Sequence, residues 1–293
     1  MRWQQLILRV AAERVADIET LLEATGAQAV SLRDAADVPV LEPEPGETPL
    51  WPDVTVTALF PAEADLTALR ALLGDALGSA ADISVEPLSE QRWRAAGVEQ
   101  TAPRRFGQGL WLLPAEGAPP AEAAGARCVR LHMGHAFGTG AHPTTALCLE
   151  WLDANLARGT AVLDYGCGSG VLALAAVALG ASHAWAVDND PEALAAARRN
   201  AALNGAEDRV FVAPPEALPG AAFDVVLANI LARPLIERAR FFADRLGPGG
   251  PIVLSGVLRE QREAVVAAYE PWFRSFSTDE RDGWLSIAAY RRS

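Results

Sequence analysis

Residues 161–188 constrain the fold most, because they contain a strand, a glycine-rich turn, a helix and a second strand in close succession. The turn has glycine at alternate positions, Gly166, Gly168 and Gly170, so its backbone can bend sharply and lie close to a ligand. Two strands joined through a helix run parallel, and ligands bind just outside the carboxyl ends of such strands. The sequence therefore predicts a parallel α/β sheet with a ligand site at this turn.

Two aspartates indicate which ligand the turn accepts. Asp188 ends the second strand, 22 residues after Gly166, where an acidic side chain can accept hydrogen bonds from both hydroxyls of a ribose. Asp164 lies just before the turn, where it can influence a cationic group. The nicotinamide fingerprint G-x-G-x-x-G requires glycine at position 171, which is Val171, so a nucleoside with an amino-acid tail fits better. The alternative is that these aspartates are only polar residues at strand ends. That interpretation accounts for either aspartate alone better than for the two together.

The first 88 residues predict a separate small domain. Strands and helices follow one another in the order β-α-β-β-α-β, which is that of a ferredoxin-like α+β sandwich. The predicted strands are 3–10, 29–32, 54–60 and 83–85, and the predicted helices are 12–25 and 66–77. This fold binds many kinds of ligand, so it identifies no function by itself.

Residues 127–293 predict a larger α/β domain, because strands and helices alternate along them. The predicted strands are 161–164, 184–188, 210–212, 224–229, 252–255, 273–278 and 285–290, and the predicted helices are 171–179, 191–204, 234–246 and 260–268. The last two strands are expected to complete one edge of the sheet. Residues 89–126 have weak periodicity and several Pro and Gly, which is typical of a connector.

The formal net charge of −12 is concentrated in the first third of the chain. Residues 1–88 contain 15 Asp and Glu against 5 Arg, a net charge of −10. Phosphate binding requires clustered Lys and Arg, so this charge argues against direct nucleic-acid binding. The acidic region either attracts a basic partner or only maintains solubility.

The sequence also bears on the compartment. No apolar run reaches the roughly 18 residues that a membrane-spanning helix requires, and residues 1–5 lack the regions of a secretory signal. The three cysteines, Cys128, Cys148 and Cys167, are odd in number and lack C-x-x-C spacing, so they indicate reduced thiols. We therefore expect a soluble, cytoplasmic protein.

Several motifs, taken together, resemble one family. They are 103–107 (PRRFG), 137–145 (FGTGAHPTT), 164–170 (DYGCGSG), 188–191 (DNDP), 229–232 (NILA) and 283–285 (GWL). Over most of its length the chain resembles the class I, Rossmann-like methyltransferases, and more narrowly the PrmA family of ribosomal protein L11 methyltransferases. It departs from that family at Leu131-His132-Met133-Gly134, where Asp-Pro-Gly is usual.

The resemblance implies a Rossmann-like domain with a mostly parallel seven-stranded sheet, preceded by the small ferredoxin-like domain. It also implies transfer of methyl groups from S-adenosylmethionine to lysine side-chain and N-terminal amines of ribosomal protein L11, held by the small domain. Separately, we expect the chain to be a monomer. The cofactor contacts that the resemblance implies at matching positions are Thr145, Gly166, Asp188 and Asn229. The further candidates for cofactor contacts are Phe137, Thr139, Asp164 and Gly168.

Methyl transfer from S-adenosylmethionine uses a methyl group that is already activated, so the enzyme mainly has to align an amine and exclude water. Asn229 lies at the end of the strand predicted over 224–229, where its oxygen can accept an N–H bond and orient the amine. Alternatively, Asn229 caps the next turn. His142 either acts as a base or braces its loop, and bracing is the favoured interpretation.

A metal site is another interpretation of the histidines in this loop. His132, His135 and His142 lie close together in the sequence, but glycines separate them and no Cys or acidic residue completes a ligand set. We therefore expect no metal.

Other functions for this chain remain open. Nucleic-acid amino methyltransferases also have Asn after the fourth strand, but there an aromatic side chain follows that stacks on the flipped base, whereas this chain has Ile230-Leu231-Ala232. A small-molecule methyltransferase is compatible with the turn, which indicates the cofactor and not the acceptor. A cofactor-binding scaffold without turnover is the alternative outside enzymes, and intact Thr145, Asp188 and Asn229 argue against it.

Overall fold

A computed structural model describes residues 3–35, 50–77, 83–88, 102–132, 142–220 and 222–293. The chain divides into two compact units, Met1–Val98 and Glu99–Ser293. Each unit has its own core of buried apolar side chains, and the second unit contains the glycine turn.

The first unit is a four-stranded antiparallel sheet with two helices. Its elements are β1 (Trp3–Ala11), α1 (Val15–Ala24), β2 (Ala29–Asp34), β3 (Asp53–Pro61), α2 (Thr67–Leu77) and β4 (Ile83–Leu88). The strand order is β2-β3-β1-β4, with every neighbouring pair antiparallel. This connectivity agrees with the β-α-β-β-α-β order predicted from the sequence.

Period-two alternation explains how this sheet builds its core. Leu6, Leu8 and Val10 of β1 are buried while the residues between them are more exposed, and β3 alternates in the same way. The buried face packs against Ile18 and Leu22 of α1 and further apolar residues of α2.

A small mixed sheet begins the described part of the second unit. It consists of β5 (Arg104–Phe106), β6 (Leu110–Pro114) and β7 (Arg127–Leu131), in the order β5-β6-β7. Phe106, Leu110 and Val129 belong to the same buried cluster as the main sheet and its helices. The described part of the predicted connector over 89–126 is therefore folded with the second unit.

The main sheet of the second unit has seven strands in the described residues. They are β8 (Ala161–Tyr165), β9 (His183–Val187), β10 (Val210–Ala213), β11 (Val225–Asn229), β12 (Pro251–Leu258), β13 (Phe273–Arg281) and β14 (Trp284–Arg291), in the order β10-β9-β8-β11-β12-β14-β13. Only β14 runs antiparallel to its neighbours. The mostly parallel sheet, with β13 and β14 completing one edge, is confirmed.

The helices of the second unit are α3 (Pro143–Asn155), α4 (Val171–Leu179), α5 (Pro191–Leu203), α6 (Ala232–Glu237), α7 (Ala239–Arg245) and α8 (Arg262–Tyr269). α3 has no counterpart in the predicted elements. The single helix predicted over 234–246 is two short helices that meet at Arg238. Among the described residues, no helix is long and apolar enough to cross a bilayer.

Candidate active site

The glycine turn bends around the end of the neighbouring strand. Gly166, Gly168 and Gly170 have φ values of +75°, +51° and +78°, which other residues rarely adopt. The N–H of Gly166 donates to the carbonyl of Val187 at 2.7 Å. A Cβ atom on Gly166 would overlap the side chain of Ile230, so glycine is required there for space as well as for conformation.

Asp188 fastens this turn from the end of β9. Its Oδ2 accepts a hydrogen bond from the N–H of Gly168 at 2.9 Å, and its Oδ1 accepts one from the N–H of Asp190 at 3.0 Å. A carboxylate offers about four acceptor positions, so each oxygen can accept a further bond. Asp188 is half-buried at the rim of the turn and retains capacity for a ligand with two hydroxyls.

Asp164 is the most perturbed acid of the site. Its side chain is 1% exposed, and burial raises the pKa of its carboxyl to about 7, with the charge of Asp188 adding to the rise. Oδ2 accepts the N–H of Ala173 at 3.0 Å, which partly opposes the shift. Oδ1 is buried without a partner among the described residues. A buried acceptor of this kind is suited to a cationic group of a ligand.

Asn229 and Thr145 form a pair across the site. Asn229 ends β11, and its Nδ2 donates to the Oγ1 of Thr145 on α3 at 3.3 Å. The next helix, α6, has Leu231 as its N-cap residue and no side-chain cap. Asn229 therefore does not cap that helix, and its Oδ1 is oriented by the bond that Nδ2 makes to Thr145.

His142 caps α3. Its Nδ1 accepts the N–H of Thr144 at 3.4 Å and lies 2.8 Å from the Oγ1 of the same residue. An Nδ1 that accepts carries no proton, so the neutral ring has its proton on Nε2 and can only donate there. The ring also packs edge-on against Trp284, 4.9 Å between centroids, and burial lowers its pKa. This geometry favours bracing over action as a base.

These residues surround one cavity of about 500 Å³. Its size is within the range of small-molecule sites. Five of the predicted residues line it: Thr145, Asp164, Gly166, Gly168 and Asn229. Asp188 adjoins it through the turn, and Phe137 and Thr139 lie outside the described residues.

Sequence reasoning did not assign the remaining walls of the cavity. They include Val171, Leu172, Ile230, Gly256 and Trp284, most of them apolar. Gly256 carries no recognisable motif, yet a Cβ atom there would overlap the backbone of Ile230. The Gly-Trp-Leu motif at 283–285 was the sequence signal from which Trp284 could have been assigned to the site. In the part of the chain that the structure describes, no group of three or more His, Cys, Asp or Glu side chains is arranged to bind a metal ion.

The fold and the cavity together define the class of protein. A seven-stranded sheet with one reversed strand near its edge, a glycine turn after the first strand and an acid after the second are the features of a class I S-adenosylmethionine-dependent methyltransferase.

Comparisons with known proteins give the family. Residues 2–292 match the family model described as "Ribosomal protein L11 methyltransferase (PrmA)". A protein of that name from Marinobacter nauticus is 45% identical over 299 residues, covering 100% of this chain and 99% of the relative, and one from Methylococcus capsulatus is 46% identical over 294 residues, covering 99% and 100%. The chain belongs to the ribosomal protein L11 methyltransferase (PrmA) family, and its methyl donor is S-adenosylmethionine.

A solved structure is similar as well. The crystal structure of a ribosomal protein L11 methylase from Lactobacillus delbrueckii subsp. bulgaricus is 30% identical, with a TM-score of 0.58. The match covers 65% of this chain and 99% of that one. It supports the same family and the same fold.

Proposed function

We propose that this enzyme methylates amino groups of ribosomal protein L11, both lysine side chains and the N-terminal amine. Curated relatives that match this chain over their whole length are named for that substrate. The observation that carries the proposal is the position of Asn229, whose amide oxygen is held by the bond to Thr145 at the wall of the cofactor cavity.

The described residues fit S-adenosylmethionine in three places. The Oδ1 of Asp164, which has no partner among the residues that the structure describes, suits the cationic amine of the amino-acid tail. The remaining acceptor positions of Asp188 suit the ribose hydroxyls. Gly166 and Gly168 allow the ligand to approach the backbone of the turn. Thr145 and Asn229 complete the wall, and Phe137 and Thr139 are further contacts by the family resemblance.

The cofactor supplies an activated methyl group, and the chain supplies alignment of the acceptor. An N–H of the acceptor amine donates to Oδ1 of Asn229, so that its lone pair points away from the asparagine. The amine has to be neutral, and its reference pKa is about 10.4 for lysine and about 8 for an α-amine. The apolar walls at Ile230 and Trp284 disfavour the charged form and lower that pKa.

The first unit is proposed to bind the protein substrate, with 1–88 as the recognition domain. The net charge of −10 over residues 1–88 suits a basic substrate, because opposite charges accelerate and orient encounter. We further propose that the enzyme is a cytoplasmic monomer that acts on the protein rather than on nucleic acid.

The test is methylation of purified L11 by the purified chain, read by intact-protein mass spectrometry in steps of one methyl group. Asn229→Ala is expected to lower kcat by a larger factor than it weakens S-adenosylmethionine binding, because alignment of the amine is lost. Asn155→Ala is the matched control, since Asn155 is an exposed asparagine at the end of α3. If L11 keeps its mass with the unaltered enzyme, the substrate is wrong. If Asn229→Ala and Asn155→Ala behave alike, the role of Asn229 is wrong.

A further inference from the structure

Two asparagines of α5 and its end face the edge of β7. Asn204 accepts the N–H of Arg130 at 2.8 Å and donates to the carbonyl of the same residue at 2.7 Å. One turn earlier, the Oδ1 of Asn200 accepts the N–H of His132 at 2.9 Å. The two amides therefore satisfy backbone groups of a strand edge that has no further strand beside it in the described sheet.

Asn200 also bonds to the glycine turn, whereas the further bond of Asn204 goes to the carbonyl of Asn200 at 2.7 Å. The Nδ2 of Asn200 donates to the carbonyl of Ser169, inside the glycine turn, at 2.9 Å. Asn200 is 1% exposed and Ser169 is 4% exposed, so this bond is shielded from water. Breaking it removes a buried hydrogen bond, which costs more than breaking a bond at the surface.

α5 also touches the turn one residue further along. A Cβ atom on Gly170 would lie 3.1 Å from the Cβ of Ala197, so the helix and the turn are packed closely there. The first half of the turn is held by the end of β9, through Val187 and Asp188. The second half is held by α5, through Ala197 and Asn200.

We infer that Asn200 is a positioning residue for cofactor binding. It does not line the cavity. Its bond to the carbonyl of Ser169 fixes the Ser169–Gly170 peptide, and thereby the direction of the backbone groups that the turn presents to the ligand. The inference rests on the proposed cofactor site. A merely structural role, in which Asn200 only supports β7, would lower stability without a selective effect on the cofactor.

Asn200→Ala and Asn204→Ala separate these two roles, because both remove support from β7 but only the first releases the turn. Both variants are expected to have a lower Tm. Asn200→Ala is expected to weaken S-adenosylmethionine binding about tenfold in calorimetric titration, the loss expected for one buried hydrogen bond. Asn204→Ala is expected to bind the cofactor as the unaltered chain does. At saturating cofactor, the kcat of Asn200→Ala should equal that of the unaltered chain. The reason is that the variant misplaces the turn but leaves the residues that align the acceptor amine intact.

Asn200→Asp is a second variant in case the alanine variant does not fold. It keeps an oxygen for the N–H of His132 but places another acceptor against the carbonyl of Ser169, so it too should lose cofactor affinity. Equal weakening of cofactor binding by Asn200→Ala and Asn204→Ala would overturn the inference.

Asp188→Ala, measured in parallel, separates failure of the positioning role from failure of the proposed cofactor site. If Asp188→Ala weakens binding and both Asn200 variants do not, the positioning role is wrong. If Asp188→Ala also leaves affinity unchanged, the proposed site itself is wrong.

Discussion

Asp164 is expected to make cofactor binding release a proton. In the folded protein without ligand, burial raises the pKa of this carboxyl from 3.8 to about 7. A cationic group beside Oδ1 of Asp164 favours the ionised form and lowers that pKa again. S-adenosylmethionine should therefore bind the ionised site, and its affinity should rise as the pH approaches 7 from below.

The size of this effect follows from the pKa. If binding requires ionised Asp164, a pKa of about 7 predicts roughly 15-fold tighter binding at about pH 7 than at about pH 5.5. The α-amine of the cofactor stays mostly protonated in that window, because its reference pKa is about 7.7 to 8.0. Asp164→Asn cannot ionise, so its affinity should be weaker and nearly independent of pH over the same window.

The carboxyl of Asp164 should also make the stability of the unliganded protein fall as the pH rises, which is opposite to its effect on cofactor affinity. Its folded-state pKa is raised, so as pH increases the unfolded chain loses this proton first and stability falls between about pH 4 and pH 7. The difference between 3.8 and about 7 sets an upper bound of roughly 4 kcal/mol on that loss. Without cofactor, Asp164→Asn should therefore be more stable than the unaltered chain at about pH 8.

The assays are isothermal calorimetry and denaturant unfolding, each at several pH values. Calorimetry in two buffers with different ionisation enthalpies counts the protons released on binding, close to one per cofactor below the pKa. The reasoning is refuted if the affinity of the unaltered chain does not change between about pH 5.5 and pH 7, or if Asp164→Asn is less stable than the unaltered chain at about pH 8.

Four further predictions concern other parts of the enzyme. Asp188→Ala should weaken S-adenosylmethionine binding by about 1 to 3 kcal/mol in calorimetric titration, and an unchanged affinity removes Asp188 from the site. Gly166→Ala should abolish cofactor binding, because its Cβ atom has no space at φ +75°. Gly205→Ala is the control: its backbone is strained at φ +58° but its Cβ atom is unobstructed, so it should lose only stability. Equal cofactor binding by the two variants contradicts the close fit of the turn. His142→Asn should retain activity and its pH profile, since asparagine can also cap a helix, while loss of the pH dependence would show that His142 acts as a base. Raising the salt concentration should increase KM for L11 without changing cofactor affinity, and a KM that is independent of salt argues against attraction by the acidic first unit.

Much of the fold was predictable because its signals are local. The period-two pattern of β1 and β3 and the strand–turn–helix sequence around Gly166 depend on neighbouring residues, and their predicted bounds agree with the structure within a few residues. The elements that were missed lack such signals. β5 and β6 are short and lie in a stretch with Pro and Gly, and α3 is buried over most of its surface, so it shows little amphipathic periodicity.

The sequence by itself determined the class of ligand and the family, because glycine spacing and strand-end acids are read directly along the chain. It did not determine how these groups are connected in space. Only the tertiary structure shows that Asp164 has a buried oxygen without a partner in the described part of the chain, that Thr145 orients Asn229 across 84 residues, and that Asn200 reaches the turn from α5. The physical reason is that burial and side-chain hydrogen bonds between distant residues depend on packing, which no local pattern of residues specifies.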